Sequence, residues 1–159
     1  MTPLCLIIIS TLNSSCVIDD YLKSTASQSD KDLEILISDG STTDGTVDLA
    51  RQPLFNEGEY LSIIDSAGSP IYGAINQAPE PARGEWLYIA GSDNRLYELY
   101  VLEHVSRHLK TTEAAAVYGS VWRKSCEGDV NVGCFWLNSL NSLIMPNALN
   151  IYHQAVHCR

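Results

Sequence analysis

The sequence predicts an α/β domain built on a mainly parallel central sheet, and three observations carry that reading. Short apolar runs recur at Leu4–Ile9, Leu33–Ile37, Tyr60–Ile64 and Trp86–Ala90, each bounded by turn residues. Stretches with helical spacing lie between them, and strands alternating with helices imply parallel strands joined by crossovers. Three of the runs are followed by polar segments: Ser10-Thr11-Leu12-Asn13, the stretch Ser38 to Thr46, and Gly91-Ser92-Asp93-Asn94. Ligands of open parallel sheets bind at the carboxyl ends of the strands, so chemistry is expected in these three turns, converging on one ligand.

The first run follows Met1-Thr2-Pro3 without a basic leader, and six residues are too few for a signal core or a membrane span. It reads as a buried strand. Cys16, Val17, Tyr21 and Leu22 then share one helical face, and a short helix is expected over about residues 46 to 52. Pro70 stands at the entry of a third helix, where its fixed φ is tolerated. After the fourth run, Leu99, Leu102, Val105 and Leu109 mark the face of another helix. Beyond Lys110 the pattern weakens. Ala114–Tyr118 and Val130–Trp136 read as further strands, and Pro146 among asparagines reads as a loop. With no repeat and no Gly-, Ser- or Pro-rich linker, residues 1–159 are expected to form one domain whose second half extends the same sheet.

Composition narrows the function. A chain of 159 residues, 45% hydrophobic and 18% charged, resembles ordinary globular proteins and can bury a sizeable core. Nineteen acidic residues face ten basic ones, with no basic run, which argues against a nucleic-acid partner. A single nucleoside diphosphate remains compatible when a divalent cation offsets its charge. The five cysteines (Cys5, Cys16, Cys126, Cys134 and Cys158) form no C-x-x-C pair, as expected of reduced thiols in the cytoplasm. No G-x-G-x-x-G follows the first run, and no G-x-x-x-x-G-K-[ST] occurs, so nicotinamide and P-loop chemistry are disfavoured. His153, His157 and Cys158 have zinc-like spacing but number only three, and His104 and His108 repeat the spacing on a face that solvation explains.

Two carboxylates stand out. Asp39 lies just past an apolar run, where it can accept hydrogen bonds from an imide or amino group on a base edge, or satisfy its own loop. Asp93 follows Gly91 and Ser92, which leave room for close approach; it can hold Mg²⁺ or Mn²⁺ alongside substrate phosphates, or serve a surface turn. Asp44 and Thr46 suit the capping of the short helix.

Taken in order, these segments resemble the family 2 inverting glycosyltransferases. Ser10-Thr11-Leu12-Asn13 is similar to the family's Pro-Thr-Tyr-Asn segment, and Asp39 to Thr46 resembles its Asp-Gly-Gly-Ser-Thr-Asp-Gly-Thr element at equal length. Tyr72-Gly73-Ala74-Ile75-Asn76 and Ala82-Arg83-Gly84-Glu85-Trp86 are similar to its Tyr-x-Ala-x-Asn and Ala-x-Gly-Glu-Tyr segments. Ser92-Asp93-Asn94 stands in place of the Ser-Asp-Asp metal motif, and Tyr152-His153-Gln154 resembles a His-Gln pair of a bacterial surface-polysaccharide subgroup.

The resemblance implies a GT-A fold, a Rossmann-like three-layer arrangement with a nucleotide-binding half near residues 1–95 and an incomplete acceptor-side half near 96–159. It implies transfer of a sugar, with inversion, from a nucleoside diphosphate sugar to a hydroxyl of a glycan or lipid-linked glycan, in the cytoplasm or at the cytoplasmic face of the membrane. Thr11, Asn13, Asp39, Asn76, Ser92 and Asp93 would contact the donor, and Asp93 and Asn94 would hold Mg²⁺ or Mn²⁺.

Three departures qualify it. Asn94 offers a neutral amide where the family has Asp, so metal affinity should fall. Gly68-Ser69-Pro70-Ile71-Tyr72-Gly73 lacks both carboxylates of the subgroup's Asp-x-Gly-Ile-Tyr-Asp, with Asp65 as a candidate substitute. The acidic general base is expected beyond Arg159, as in a shortened chain, which makes a catalytically impaired nucleotide-sugar-binding module the alternative reading. A shortened fold would expose apolar surface, predicting a homodimer or limited solubility.

Overall fold

The computed structural model describes residues 3–52, 61–77, 83–119, 122–125, 128–131, 138–140 and 156–158. The elements are β1 (Cys5–Thr11), α1 (Ile18–Ala26), β2 (Leu33–Asp39), α2 (Thr46–Ala50), β3 (Leu61–Asp65), α3 (Ile71–Gln77), β4 (Trp86–Gly91) and α4 (Val101–Leu109). There follow β5 (Ala116–Tyr118), β6 (Trp122–Ser125), β7 (Gly128–Asn131), β8 (Asn138–Leu140) and β9 (Val156–Cys158).

Among the described residues seven strands form one sheet in the order β3-β2-β1-β4-β9-β5-β8, while β6 and β7 pair separately and antiparallel. The pairs β3–β2, β2–β1 and β1–β4 are parallel. β9 runs antiparallel to both β4 and β5, so β5 points the same way as β4 and the sheet is mainly parallel, as expected.

Burial explains the continuous apolar runs. Ile7, Ile8 and Ile9 have no exposed surface, because successive side chains enter opposite layers. Cys5, Ile7 and Ile9 pack with Ile35, Ile37 and α1's Ile18, Tyr21 and Leu22, whereas Leu6 and Ile8 pack with Leu36 and α3's Ile75. Helices thus cover both faces, giving three layers. Each such aliphatic side chain contributes about 1.5–3 kcal/mol on burial.

Several expected boundaries move. β1, β2 and β4 continue past their apolar runs to Thr11, Asp39 and Gly91, because the ladders hold in register through Ser10↔Ser38, Thr11↔Asp39 and Ser10↔Gly91. Cys16 does not share the face of α1: the helix starts at Ile18, and Cys16 is exposed in the turn where Ser14 O accepts the Val17 and Ile18 amides. Leu99 likewise precedes α4 and is exposed, and Ser106 joins Leu102, Val105 and Leu109 on the buried face. The second half extends the same sheet through β5, β8 and β9. β7 meets the strand expected over Val130–Trp136 at Val130 and Asn131, and residues 132–137 lie outside the described residues, as do 141–155 with Pro146 and the His153-Gln154 pair.

Candidate functional site

β1, β2 and β4 are adjacent and parallel, so their carboxyl ends bring the three polar turns together. Asp39, the last residue of β2, is 6% exposed. Its Oδ1 accepts the Thr11 hydroxyl from the in-register end of β1 at 2.9 Å, and its Oδ2 accepts the Thr42 amide at 2.9 Å. Each oxygen keeps a further acceptor site for a ligand.

Around this carboxylate, the loops after β1 and β2 are stitched residue by residue. The Asn13 amide donates to Thr42 Oγ1 at 3.0 Å, and the Thr43 amide donates to Asn13 Oδ1 at 3.1 Å. The Ser14 amide donates to Thr46 Oγ1 at 2.8 Å and the Ser15 amide to Asp44 Oδ2 at 2.9 Å. Asp44 Oδ1 also accepts the Thr46 amide and hydroxyl, at 3.1 and 2.6 Å. These bonds, the Thr46 hydroxyl foremost, hold the Asp44 carboxyl well below the usual carboxylate range. Asp44 therefore serves the entry to α2, as expected, and also locks the neighbouring loop. Gly45 makes that entry with φ 87°, a left-handed conformation that glycine adopts without strain. Asn13 and Ser41 take positive φ of 49° and 69° although neither is glycine, a mark of backbone held by its surroundings.

The third turn joins this shelf through Ser92, whose hydroxyl donates to Ser14 Oγ at 3.0 Å. Asp93 is exposed and folds back over Gly91: a Cβ on Gly91 would lie 2.7 Å from Asp93 Oδ1. Asn94 Oδ1 accepts the Gly91 amide at 2.8 Å while the Asn94 amide returns a bond to Gly91 O at 3.1 Å, closing the turn. Among the described residues no group of three or more His, Cys, Asp or Glu side chains could hold a metal. The Asp93 carboxylate and the second lone pair of Asn94 Oδ1 fit a hard cation that takes one or two protein oxygens and completes its shell with water and phosphate.

Thr11, Asn13, Asp39, Ser92, Asp93 and Asn94 are thus gathered at one end of the sheet. Asn76 is not joined to them by any hydrogen bond; it is exposed on α3, two residues past Ala74, whose carbonyl accepts the Ser38 hydroxyl. Sequence reading left Ser66 and Ser41 aside. Ser66 donates its amide and hydroxyl to Asp39 O, at 2.7 and 2.9 Å, and Ser41 reaches Asp65. Their only sequence signal is their place beside a strand end. His157 lies in β9 rather than on a helix, buried and stacked on Tyr88 with ring centroids 4.6 Å apart, while its neighbour Cys158 is exposed.

Comparison with known proteins agrees with this fold. Two curated relatives, the PGL/p-HBAD biosynthesis glycosyltransferases of Mycobacterium bovis and Mycobacterium tuberculosis, are each 35% identical over 158 residues, covering 99% of this chain and 59% of theirs. The chain therefore spans about three fifths of the length of those relatives. Two solved structures share the fold. The mannosyltransferase PcManGT of Pyrobaculum calidifontis, in complex with GDP-Man and Mn²⁺, gives a TM-score of 0.65 at 21% identity over 78% of this chain and 37% of that one. S. aureus TarS 1-349 in complex with UDP gives 0.61 at 21% identity over 71% and 34%. With the sheet order above, these likenesses show a GT-A, Rossmann-like fold. The family model described as Glycosyl transferase family 2 matches residues 6–155, nearly the whole chain, and the chain belongs to that family.

Proposed function

We propose that this chain forms the donor-binding part of a glycosyltransferase that moves a sugar, with inversion, from a nucleoside diphosphate sugar to a hydroxyl of a glycan or lipid-linked glycan in polysaccharide biosynthesis. The observation that carries the reading is the buried Asp39 carboxylate, held by Thr11 and Thr42 at the point where three strand-end turns meet. In this reading residues 1–95 hold the donor and residues 96–159 belong to the acceptor side of the same domain. Asp39 accepts a hydrogen bond from the base edge, Thr11 and Asn13 shape the base and ribose seat, and Ser92 and Asp93 face the diphosphate. Asn76 adds a contact from α3.

Asp93, with Asn94, would hold Mg²⁺ or Mn²⁺, which when bound offsets the diphosphate charge as the sugar–phosphate bond breaks. The acceptor oxygen attacks the anomeric carbon from the side opposite the nucleoside diphosphate, which departs with the bonding pair. A base must take the acceptor proton, and no described residue is assigned that part. Among the described residues no helix is long and apolar enough to cross a membrane; we place the protein in the cytoplasm or at the membrane's cytoplasmic face, where a homodimer would cover exposed apolar residues.

The neutral Asn94, with its amide oxygen already engaged by Gly91, favours a second reading, a catalytically impaired module that holds a nucleotide sugar. The deciding experiment is calorimetry with UDP, GDP and dTDP, with and without Mn²⁺, on the wild type and Asp39→Ala. Metal-assisted binding lost in Asp39→Ala is expected. Wild-type affinity for none of the three would overturn the donor-site assignment, and turnover of the bound donor separates enzyme from module.

A further inference from the structure

A second carboxylate stands beside Asp39. Asp65 is the last residue of β3, and in the parallel β2–β3 ladder it is the direct partner of Asp39. Adjacent strands lie about 4.8 Å apart, and in-register residues project to the same side, so the two carboxylates share one face at the carboxyl edge. The turn between them serves both: the Thr42 amide donates to Asp39 Oδ2 at 2.9 Å, while the Ser41 hydroxyl approaches Asp65 Oδ1 at 3.5 Å. Asp65 Oδ1 also accepts the Ala67 amide at 2.9 Å. Ser66, between them in sequence, fixes the β3 turn onto β2 through its two bonds to Asp39 O. Asp65 is exposed, and its Oδ2 has no protein donor among the described residues.

Resting on the donor-site reading above, we infer that Asp39 and Asp65 together read a base edge carrying adjacent N–H donors, so that the donor is a guanosine diphosphate sugar. Carboxylates only accept hydrogen bonds. Uracil and thymine offer one imide N–H between two carbonyl oxygens, so a second carboxylate at that edge meets an acceptor and gains no bond. Cytosine and adenine each present a single amino group beside an unprotonated ring nitrogen. Guanine alone among the common bases places a ring N–H next to an exocyclic amino group, two donors in a row for two acceptors in a row. A site whose polar groups match a ligand's donors disfavours the analogue that lacks them, because a carboxylate covered by the base gives up water and gains no bond in return.

The test is calorimetry in Mn²⁺ with GDP, inosine diphosphate, UDP and dTDP on the wild type and Asp65→Asn. GDP is expected to bind about tenfold or more tightly than UDP or dTDP, the effect of one hydrogen bond to a charged group. Inosine diphosphate, which lacks only the exocyclic amino group, is expected to lose a similar factor. Asp65→Asn, whose amide can donate to a carbonyl, should shrink the GDP-over-UDP ratio and leave UDP affinity equal or improved. If UDP or dTDP binds the wild type as well as GDP, or inosine diphosphate binds as well as GDP, guanine selection is overturned while the donor site stands. If no nucleotide binds, the donor-site reading fails and this inference with it.

Discussion

His157 offers a direct probe of how the last strand is built into the sheet. Its ring is 6% exposed, stacked on Tyr88, and its Nε2 has no hydrogen-bond partner among the described residues. Burial without a partner penalises the imidazolium, and the folded pKa falls to about 4 from an ordinary 6.5. The unfolded chain therefore binds a proton that the folded one refuses between those two values. Stability from this group is complete above pH 6.5 and is lost as pH falls toward 4. At about 1.4 kcal/mol per unit, the loss reaches about 2.5 kcal/mol by roughly pH 4.5. Urea denaturation of the wild type and His157→Phe, run at steps from about pH 7 to pH 4.5, isolates it, since phenylalanine keeps the stack and every other titrating group cancels in the difference. The variant should gain on the wild type by that amount across the range. A difference that stays flat with pH would refute a neutral, buried His157 and with it the seating of β9 beside β4.

Two other perturbations test the packing and the third turn. A Cβ on Gly84 would lie 2.6 Å from the Leu6 amide nitrogen and 2.7 Å from Leu6 Cβ, so Gly84→Ala should cost about 1–3 kcal/mol, read as a fall in Tm of roughly 2–4 °C per kcal/mol by differential scanning calorimetry. An unchanged Tm would mean that the chain at residue 84 does not press on β1. Asn94→Asp keeps the acceptor for the Gly91 amide and adds a charge, so the Mn²⁺ concentration for half-maximal nucleotide binding should drop about tenfold. No change would place residue 94 in the turn alone, away from any cation.

β1 and β2 are legible in sequence because both faces are buried and each reads as an unbroken apolar run, while β3 and β4, half-buried on part of their surface, still carry enough apolar residues to show. Their ends are not, because Thr11 and Asp39 are polar yet remain in the ladder, held by a neighbour that sequence does not reveal. Helix starts failed for the opposite reason: apolar spacing begins at Cys16 and Leu99, where backbone turns still precede the helix. β5 lies within the run Ala114–Tyr118 that reads as a strand, whereas β8 and β9 span three residues each, too short to show a period, and β6 with β7 forms an antiparallel pair that no alternation announced. The site's residue types were visible, but their connections were not. The bonds joining Asn13, Ser14 and Ser15 to Thr42, Asp44 and Thr46 cross about thirty positions and follow from strand adjacency, not from local pattern. The partnership of Asp39 with Asp65 is likewise a property of register.

The place of β9 has a consequence for how the chain acquires its structure. Residues 156–158 lie between β4 and β5, strands that precede them by some forty to seventy positions, so the seam closes only after distant parts of the chain meet. Until then Leu87 and Tyr88 on one side and Val117 on the other present unpaired edges, the kind of surface that recruits other chains. Contacts this remote in sequence form slowly, since chain entropy is spent before they return any stabilisation. Folding yield should therefore depend on temperature and protein concentration more steeply than the compact β1–β4 core alone would suggest, with closure of this seam as the last event.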